Sequence, residues 1–281
     1  MRLGYHMPTS GGYRKQISTA QELQAETVQV FLGSPSSWSL GRFEPETLIQ
    51  GAELAATAGI DPIIPHASYL INMAGSDPQN YEKSRNLLQD SLQRTAVLKA
   101  PYLVVHVGSH GGAGLTIGLQ RILAMLELLQ LDWPQGVMML LENTAGSGRT
   151  IGNIAEIGMI IKEAGEPPWL GVCFDTCHAW EYGYNVQNRP GWQQTLELFD
   201  HHIGLKHLKA LHVNDSKTAQ ASRVDRHEHL GEGTIGLECF QTMVTLAELQ
   251  NLPWILETPD QGDFSGYRKD LELLRSLRET L

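Results

Sequence analysis

Cysteine is scarce in this 281-residue chain, with Cys173, Cys177 and Cys239 the full complement. So low and odd a count excludes a disulfide framework and points to a reducing compartment. Basic charge is also short. The 21 lysines and arginines face 31 aspartates and glutamates, for a net charge of −10 with histidine neutral. That balance excludes a generally basic nucleic-acid-binding surface. It leaves room for a local one, because metal ions and clustered cations reverse the field inside a cleft. No stretch approaches the roughly 20 apolar residues of a membrane span, and the opening MRLGYHMPTSGG lacks the apolar core of a signal peptide. A cytoplasmic protein with no membrane partner is the expectation. Pro- or Ser-rich linkers and low-complexity tracts are missing too, so one domain over residues 1–281 is expected.

What the chain does have is repetition. Short runs rich in Val, Ile and Leu recur as LGYHM (3–7), TVQVFLG (27–33), PIIPHAS (62–68), YLVVHVG (102–108), VMMLLENT (137–144), LGVCFDTCH (170–178), LKALHVND (208–215) and PWILETP (253–259). Their length and β-branched content read as strands buried on both faces, as in a parallel sheet. Helical patterns lie between them. Thr19 to Glu22 reads as a Thr-x-x-Glu capping box, and Leu119, Ile122, Leu123, Leu126 and Leu129 form a stripe at helical spacing. NIAEIGMIIKEAG ends on a helix-stopping glycine, and YRKDLELLRSLRETL reads as a terminal amphipathic helix. Eight strand–helix units in a chain of this size predict a closed (β/α)8 barrel, the TIM-barrel architecture. A doubly wound open sheet is the alternative, but no Gly-x-Gly-x-x-Gly turn follows the first strand.

In such barrels chemistry collects at the C-terminal ends of the strands. His66, His106, Glu142, Asp175 with His178, His212 and Glu257 all fall at or just past the ends of apolar runs. Asp225 and His227 sit on the long loop after strand seven, in SRVDRHEHLGEGTIG. A lone histidine or carboxylate at a strand end is usually a structural hydrogen-bonding group or the cap of the next helix. Five histidines and four carboxylates on one rim are not explained that way, because carboxylates packed without cations destabilise a fold. Mixed imidazole and carboxylate sets suit divalent transition metals, zinc above all. Nine donors exceed one tetrahedral ion and suit two or three. A multinuclear centre lowers the pKa of a bridging water and stabilises the attacking and leaving oxygens of an in-line displacement, which is what phosphate-ester hydrolysis needs.

The segments PHASYLINMAG, HVGSH, LENTAG, GVCFDTCHAWEYGY, LHVNDSK, SRVDRHEHLGEGTIG and LETP, in this order, resemble the endonuclease IV family of apurinic/apyrimidinic (AP) endonucleases. A weaker match lies near His6 and Gly11–Gly12. The resemblance implies a (β/α)8 barrel with three zinc ions, manganese being an alternative at one site. It implies hydrolysis of the phosphodiester bond 5′ to abasic sites in duplex DNA, leaving a 3′-hydroxyl, and removal of 3′ blocking groups. Carried over by motif, His66, His106 and Glu142 would hold one ion. Glu142 would bridge to a second, held also by Asp175, His212 and Glu257, and His178, Asp225 and His227 would hold the third. Glu142 or Glu257 would orient or deprotonate the attacking water. Glu228 and His229 are read as loop supports, Cys173 and Cys177 as reduced structural thiols, and His201, His202 and His207 as surface residues.

The same resemblance casts Tyr69 and Leu70 as the wedge that enters DNA at the abasic site, where the duplex distorts easily. Family members also carry an arginine shortly before a tryptophan on the loop after strand two. Here GSPSSWSL keeps Trp38 but has serines in the arginine's place. Lys217, Arg223 and Arg226 flank the metal loop as candidate phosphate contacts. A monomer suffices for an enzyme that wraps DNA. Two rivals remain. A sugar isomerase or epimerase on the same barrel would use Glu142, Asp175, His212 and Glu257, but it leaves His66, His106, His178, Asp225 and His227 unexplained. A non-catalytic DNA-binding or scaffold protein should have lost some of the nine donors, and none is missing.

Overall fold

The structure is a computed structural model, and it describes residues 1–8 and 10–280. Strand and helix alternate along the chain. The order begins β1 (Arg2–His6), α1 (Gly12–Glu22), β2 (Thr27–Phe31), α2 (Pro45–Ala58), β3 (Ile63–His66), α3 (Pro78–Val97), β4 (Tyr102–His106) and α4 (Leu115–Gln130). It continues with β5 (Met138–Glu142), α5 (Ile154–Glu163), β6 (Leu170–Asp175), α6 (Thr176–Tyr182), α7 (Arg189–His202) and β7 (Leu208–His212). After β7 come β8 (Asp215–Ser216), β9 (His227–Glu228), α8 (Leu237–Met243), β10 (Pro253–Leu256) and α9 (Ser265–Glu279). Among the described residues, eight parallel strands close in the order β1-β10-β7-β6-β5-β4-β3-β2, while β8 and β9 pair separately as an antiparallel ribbon. This is the single-domain (β/α)8 barrel that the eight apolar runs predict, each run overlapping one barrel strand.

Side-chain alternation along the strands explains how the barrel carries its polar mouth. Residues such as Leu103, Val105, Met139, Leu141, Val172 and Phe174 point outward and pack under the helices in one large apolar layer. The opposite face builds a small separate core from Ile64, Val104, Leu140, Cys173, Ala210 and Ile255. Each of those six stands two residues before a strand-end polar residue: His66, His106, Glu142, Asp175, His212 and Glu257 respectively. A period of two therefore places the polar set directly above an apolar floor. The registers align it further, with His106 opposite Glu142 and Asp175 opposite His212.

Two expectations need correction. Thr19 and Glu22 do not begin a helix. They lie in the last turn of α1, where the Thr19 carbonyl accepts from Leu23 N–H. The chain already turns into α1 at Gly11 and Gly12, both with positive φ, so the helix starts earlier. A capping box does occur at α5, between Asn153 and Glu156. His207 is the second correction, because it is buried at the foot of β7 with Nδ1 3.3 Å from the Leu170 carbonyl. The turn of 3-10 helix at Leu205–His207 swings it inward before β7 begins. His201 and His202 are exposed as expected. The terminal helix also matches, although Leu281 lies outside the described residues.

Gly4 marks the tightest point of the barrel wall. A Cβ there would overlap the Thr27 carbonyl across the β1–β2 pairing. Gly4→Ala is expected to lower stability by about 3 kcal/mol in urea unfolding, because backbone rather than a flexible side chain must give way.

Candidate metal centre and active site

The polar rim converges on Glu142. This carboxylate ends β5 above Leu140 and is 1% exposed. Its Oε2 lies 3.2 Å from His66 Nε2 and 3.6 Å from His106 Nδ1, and its Oε1 lies 2.9 Å from His212 Nδ1 and 3.3 Å from His178 Nδ1. One carboxylate thus faces two groups at once. His212 Nδ1 also lies 3.1 Å from Glu257 Oε2 and 3.8 Å from Asp175 Oδ2. Donor atoms of His66, His106 and Glu142 all lie within 4.8 Å of one another, as do those of Glu142, Asp175, His212 and Glu257.

A third group forms where β6 passes into α6. The Asp175 carboxylate caps that helix by accepting from His178 N–H at 2.7 Å, which sets His178 one turn farther on. His178 Nε2 is 3.2 Å from Asp225 Oδ2, and His227 Nε2 is 3.4 Å from Asp225 Oδ1. All nine residues singled out from the sequence are therefore brought together in three clusters, the first two sharing Glu142. A further cluster of Asp175, Cys177 and His227 is geometrically compact. Burial pushes the Cys177 thiol far above its ordinary pKa, and a protonated thiol is a poor metal ligand.

The donors are oriented as ligands are. His66 Nδ1 donates to the Ala67 carbonyl at 2.7 Å, His178 Nδ1 to Asn143 at 2.9 Å and His227 Nδ1 to Glu257 at 3.1 Å. Each bond turns Nε2 inward, where the neutral ring offers its lone pair. Among the described residues, His227 Nε2 is buried without any hydrogen-bond partner. The charges point the same way. Burial raises the pKa of Glu142, but His106, His212 and His178 hold it well below the usual carboxylate range. Burial likewise opposes a charged His178, which Asp175, Asp225 and Glu142 outweigh, holding its pKa well above the ordinary value. At Asp225 burial is again overcome, chiefly by His178, and the pKa falls to about 2. Ionised carboxylates are balanced here by positive charge beside them, the role a divalent cation fills. The donor set fits a metal centre.

Two buried carboxylates hold the loop that carries Asp225 and His227. Asp215 accepts from the N–H groups of Ser216 at 2.7 Å, Ile235 at 2.9 Å, Gly231 at 3.0 Å, Gly233 at 3.1 Å and Gly236 at 3.2 Å. That cradle explains the glycines of LGEGTIG, since a Cβ on Gly233 would overlap both Asp215 and the Ser216 carbonyl. Glu181 on α6 accepts from the Ser216 hydroxyl at 2.8 Å, Arg226 N–H at 3.0 Å and the Thr218 hydroxyl at 3.1 Å. Glu228 and His229 serve the same loop. Glu228 pairs with Asp215 across the ribbon, and His229 Nδ1 sits 2.8 Å from Asp270 on α9.

Several functional neighbours escape sequence reasoning. Asn143 and Asn214 brace Asp175, through 2.7 Å bonds to its N–H and its Oδ2. His6 Nδ1 lies 3.0 Å from Glu257, and Gln29 contacts both Glu257 and His212. The one available signal is a polar residue inside an apolar run, as in TVQVF and LENT. Around the mouth, Tyr69 is 56% exposed with its ring 5.7 Å from that of His66, and Leu70 beside it is half-buried. Lys217, Arg223 and Arg226 are exposed, the Arg223 guanidinium lying 3.7 Å over the Tyr182 ring. Trp38 is 37% exposed on the loop after β2, with Lys83 Nζ 5.6 Å above it.

Residues 17–277 match the family model of the xylose isomerase-like TIM barrel that defines AP endonuclease family 2. A protein described as probable endonuclease 4 from Natranaerobius thermophilus is 41% identical over 263 residues, covering 93% of each chain. The chain belongs to the endonuclease IV family of AP endonucleases. Another probable endonuclease 4, from Halothermothrix orenii, is 38% identical over 99% of both chains. The crystal structure of endonuclease IV from Thermus thermophilus superposes over 100% of both chains with a TM-score of 0.85 at 31% identity. A 3-keto-D-glucoside 4-epimerase from E. coli reaches a TM-score of 0.73 at 13% identity, a likeness of fold alone. Membership of the endonuclease IV family makes the chain a hydrolase, as the nine-residue rim predicts, and sets aside the isomerase and scaffold readings. No described helix is long and apolar enough to cross a membrane.

Because the Asp215 cradle holds the loop and not the barrel, Gly233→Ala is expected to act locally. Amides of residues 216–236 should exchange markedly faster with solvent while β4–β6 keep their protection, with a global loss of about 2 kcal/mol. Uniform loss of protection throughout the barrel would contradict this assignment.

Proposed function

We propose that this chain hydrolyses the phosphodiester bond 5′ to abasic sites in duplex DNA, leaving a 3′-hydroxyl, and also clears blocking groups from 3′ ends. The observation that carries the reading is Glu142, one carboxylate facing two donor clusters, with the His178–Asp225–His227 cluster alongside. His66, His106 and Glu142 would hold one ion. Glu142, Asp175, His212 and Glu257 would hold a second, and His178, Asp225 and His227 a third. When bound, three zinc ions (manganese being an alternative at one site) would lower the pKa of water and neutralise charge on the phosphodiester oxygens.

The protein's own groups do the rest. Glu257 borders a cavity of about 610 Å3 that also reaches Tyr69 and His227, whereas Glu142 is enclosed by imidazoles. Burial raises the Glu257 carboxyl, but His212 and His6 hold it well below the usual range, so it is ionised. Glu257 is therefore the better-placed of the two to orient the attacking water through a carboxylate hydrogen bond. Tyr69 and Leu70 stand at the mouth, suited to wedge into a duplex where a base is missing. Lys217, Arg223 and Arg226 are suited to phosphate contacts on the same rim.

The test is metal content and cleavage on one preparation. About three metals per chain, and a nick 5′ to a tetrahydrofuran lesion, are expected. Chelation should abolish the nick and added zinc restore it. Asp225→Ala should slow cleavage by more than about 100-fold, beyond what loss of an outer partner costs. One or two metals without a nick, with turnover of a ketose or aldose, would overturn the reading. Arg226→Gln should weaken duplex binding across sequences and reduce the slope of log affinity against log salt by about one.

A further inference from the structure

Barrel strand β2 supplies neither an acid nor an imidazole to the centre, yet its inward residue Gln29 is fully buried among them. Its amide makes three contacts. The oxygen lies 2.8 Å from His212 Nε2, and the nitrogen lies 2.7 Å from Glu257 Oε1 and 2.9 Å from His6 Nδ1. The orientation of this amide is dictated by its partners. An ionised carboxylate only accepts, so the atom facing Glu257 is the NH2 group and the atom facing His212 is the oxygen.

That assignment has a consequence for His212. The amide oxygen only accepts, so His212 Nε2 carries a proton, and in the neutral ring that a metal ion requires Nδ1 then presents the lone pair. Nδ1 is the atom facing Glu142, Glu257 and Asp175. Without Gln29 the ring could place its proton on Nδ1, where Glu142 and Glu257 would accept it and the lone pair would be lost. His66, His178 and His227 have their orientation set by backbone carbonyls, which any sequence supplies. His212 depends on a side chain. The NH2 group meanwhile ties down Glu257 Oε1 and leaves Oε2 turned toward His212.

We infer that Gln29 is a positioning residue, which fixes His212 as the Nε2–H tautomer and holds the Glu257 carboxylate so that His212 Nδ1 and Glu257 Oε2 are offered to a metal ion. This rests on the metal centre proposed above.

The first measurement is on the zinc-loaded wild-type protein, by long-range 1H–15N correlation of the histidine side chains. His212 is expected with a protonated Nε2 and a proton-free Nδ1, and the opposite tautomer would overturn the inference. The second compares variants by competition with a chromophoric chelator and by the absorption of the cobalt-substituted protein. Gln29→Met, close in volume but without hydrogen bonds, should weaken retention at one site by 10- to 100-fold and shift the cobalt bands. Gln29→Glu keeps the acceptor toward His212 but loses the donor to Glu257. It should preserve the wild-type tautomer while still losing affinity. Folded Gln29→Met protein with wild-type retention and an unchanged spectrum would overturn the inference. Should that variant not fold, the wild-type tautomer and Gln29→Glu decide. The wild-type metal content separates the two levels: no retained metal overturns the centre and this inference together, whereas retained metal with an insensitive variant overturns only the role of Gln29.

Discussion

One buried carboxylate organises the mouth of this barrel. Glu142 faces imidazoles from β3, β4, β7 and α6, so four separate elements meet through a single side chain. An unpaired charge at such a depth would cost several kcal/mol. The surrounding positive charge keeps Glu142 ionised despite its burial. Imidazoles enclose Glu142, whereas Glu257 borders open space.

The rest of the architecture serves that cluster. Beneath it lies the apolar floor of Ile64, Val104, Leu140, Cys173, Ala210 and Ile255, which excludes water from below and fixes the strand ends in register. Beside it, amide side chains set angles rather than supplying charge. Asn143 and Asn214 do this for Asp175, and Gln29 for His212 and Glu257. Above it, the loop after β7 bears Asp225 and His227 well past the end of that strand in sequence. Its shape comes from Asp215, which gathers five backbone amides, and Glu181, which gathers an amide and two hydroxyls. Loop-borne groups reach useful precision when buried polar bonds hold the loop this way.

The fold alone does not decide the chemistry. An epimerase at 13% identity shares this barrel closely, as expected where function resides in the groups grafted on strand ends and loops. In this chain His66, His106, His178 and the Asp225–His227 pair gather at the mouth beside Glu142, Asp175, His212 and Glu257.

Much of this was legible in the sequence, because its signals are local and periodic. Eight apolar runs spaced by helical patterns specify strands and helices through side-chain alternation, and a strand-end residue inherits its direction from the residue two before it. His66, His106, Glu142, Asp175, His212 and Glu257 follow that logic, whereas His178, Asp225 and His227 were singled out by residue type just past strand ends, and the structure brings all nine together. Where a pattern was ambiguous, tertiary context overruled it: Thr19 to Glu22 has the letters of a capping box but closes a helix that Gly11 and Gly12 had already begun. His207 follows a helix, yet a single turn carries it under β7. The contacts of Gln29, His6, Glu181 and Asp215 were not legible, since each joins residues far apart in sequence and depends on barrel closure. Residue types and their period determined which groups reach the mouth. Only the closed barrel decided which atom faces which, because hydrogen-bond direction and tautomer are set by distances between strands that the chain order does not contain.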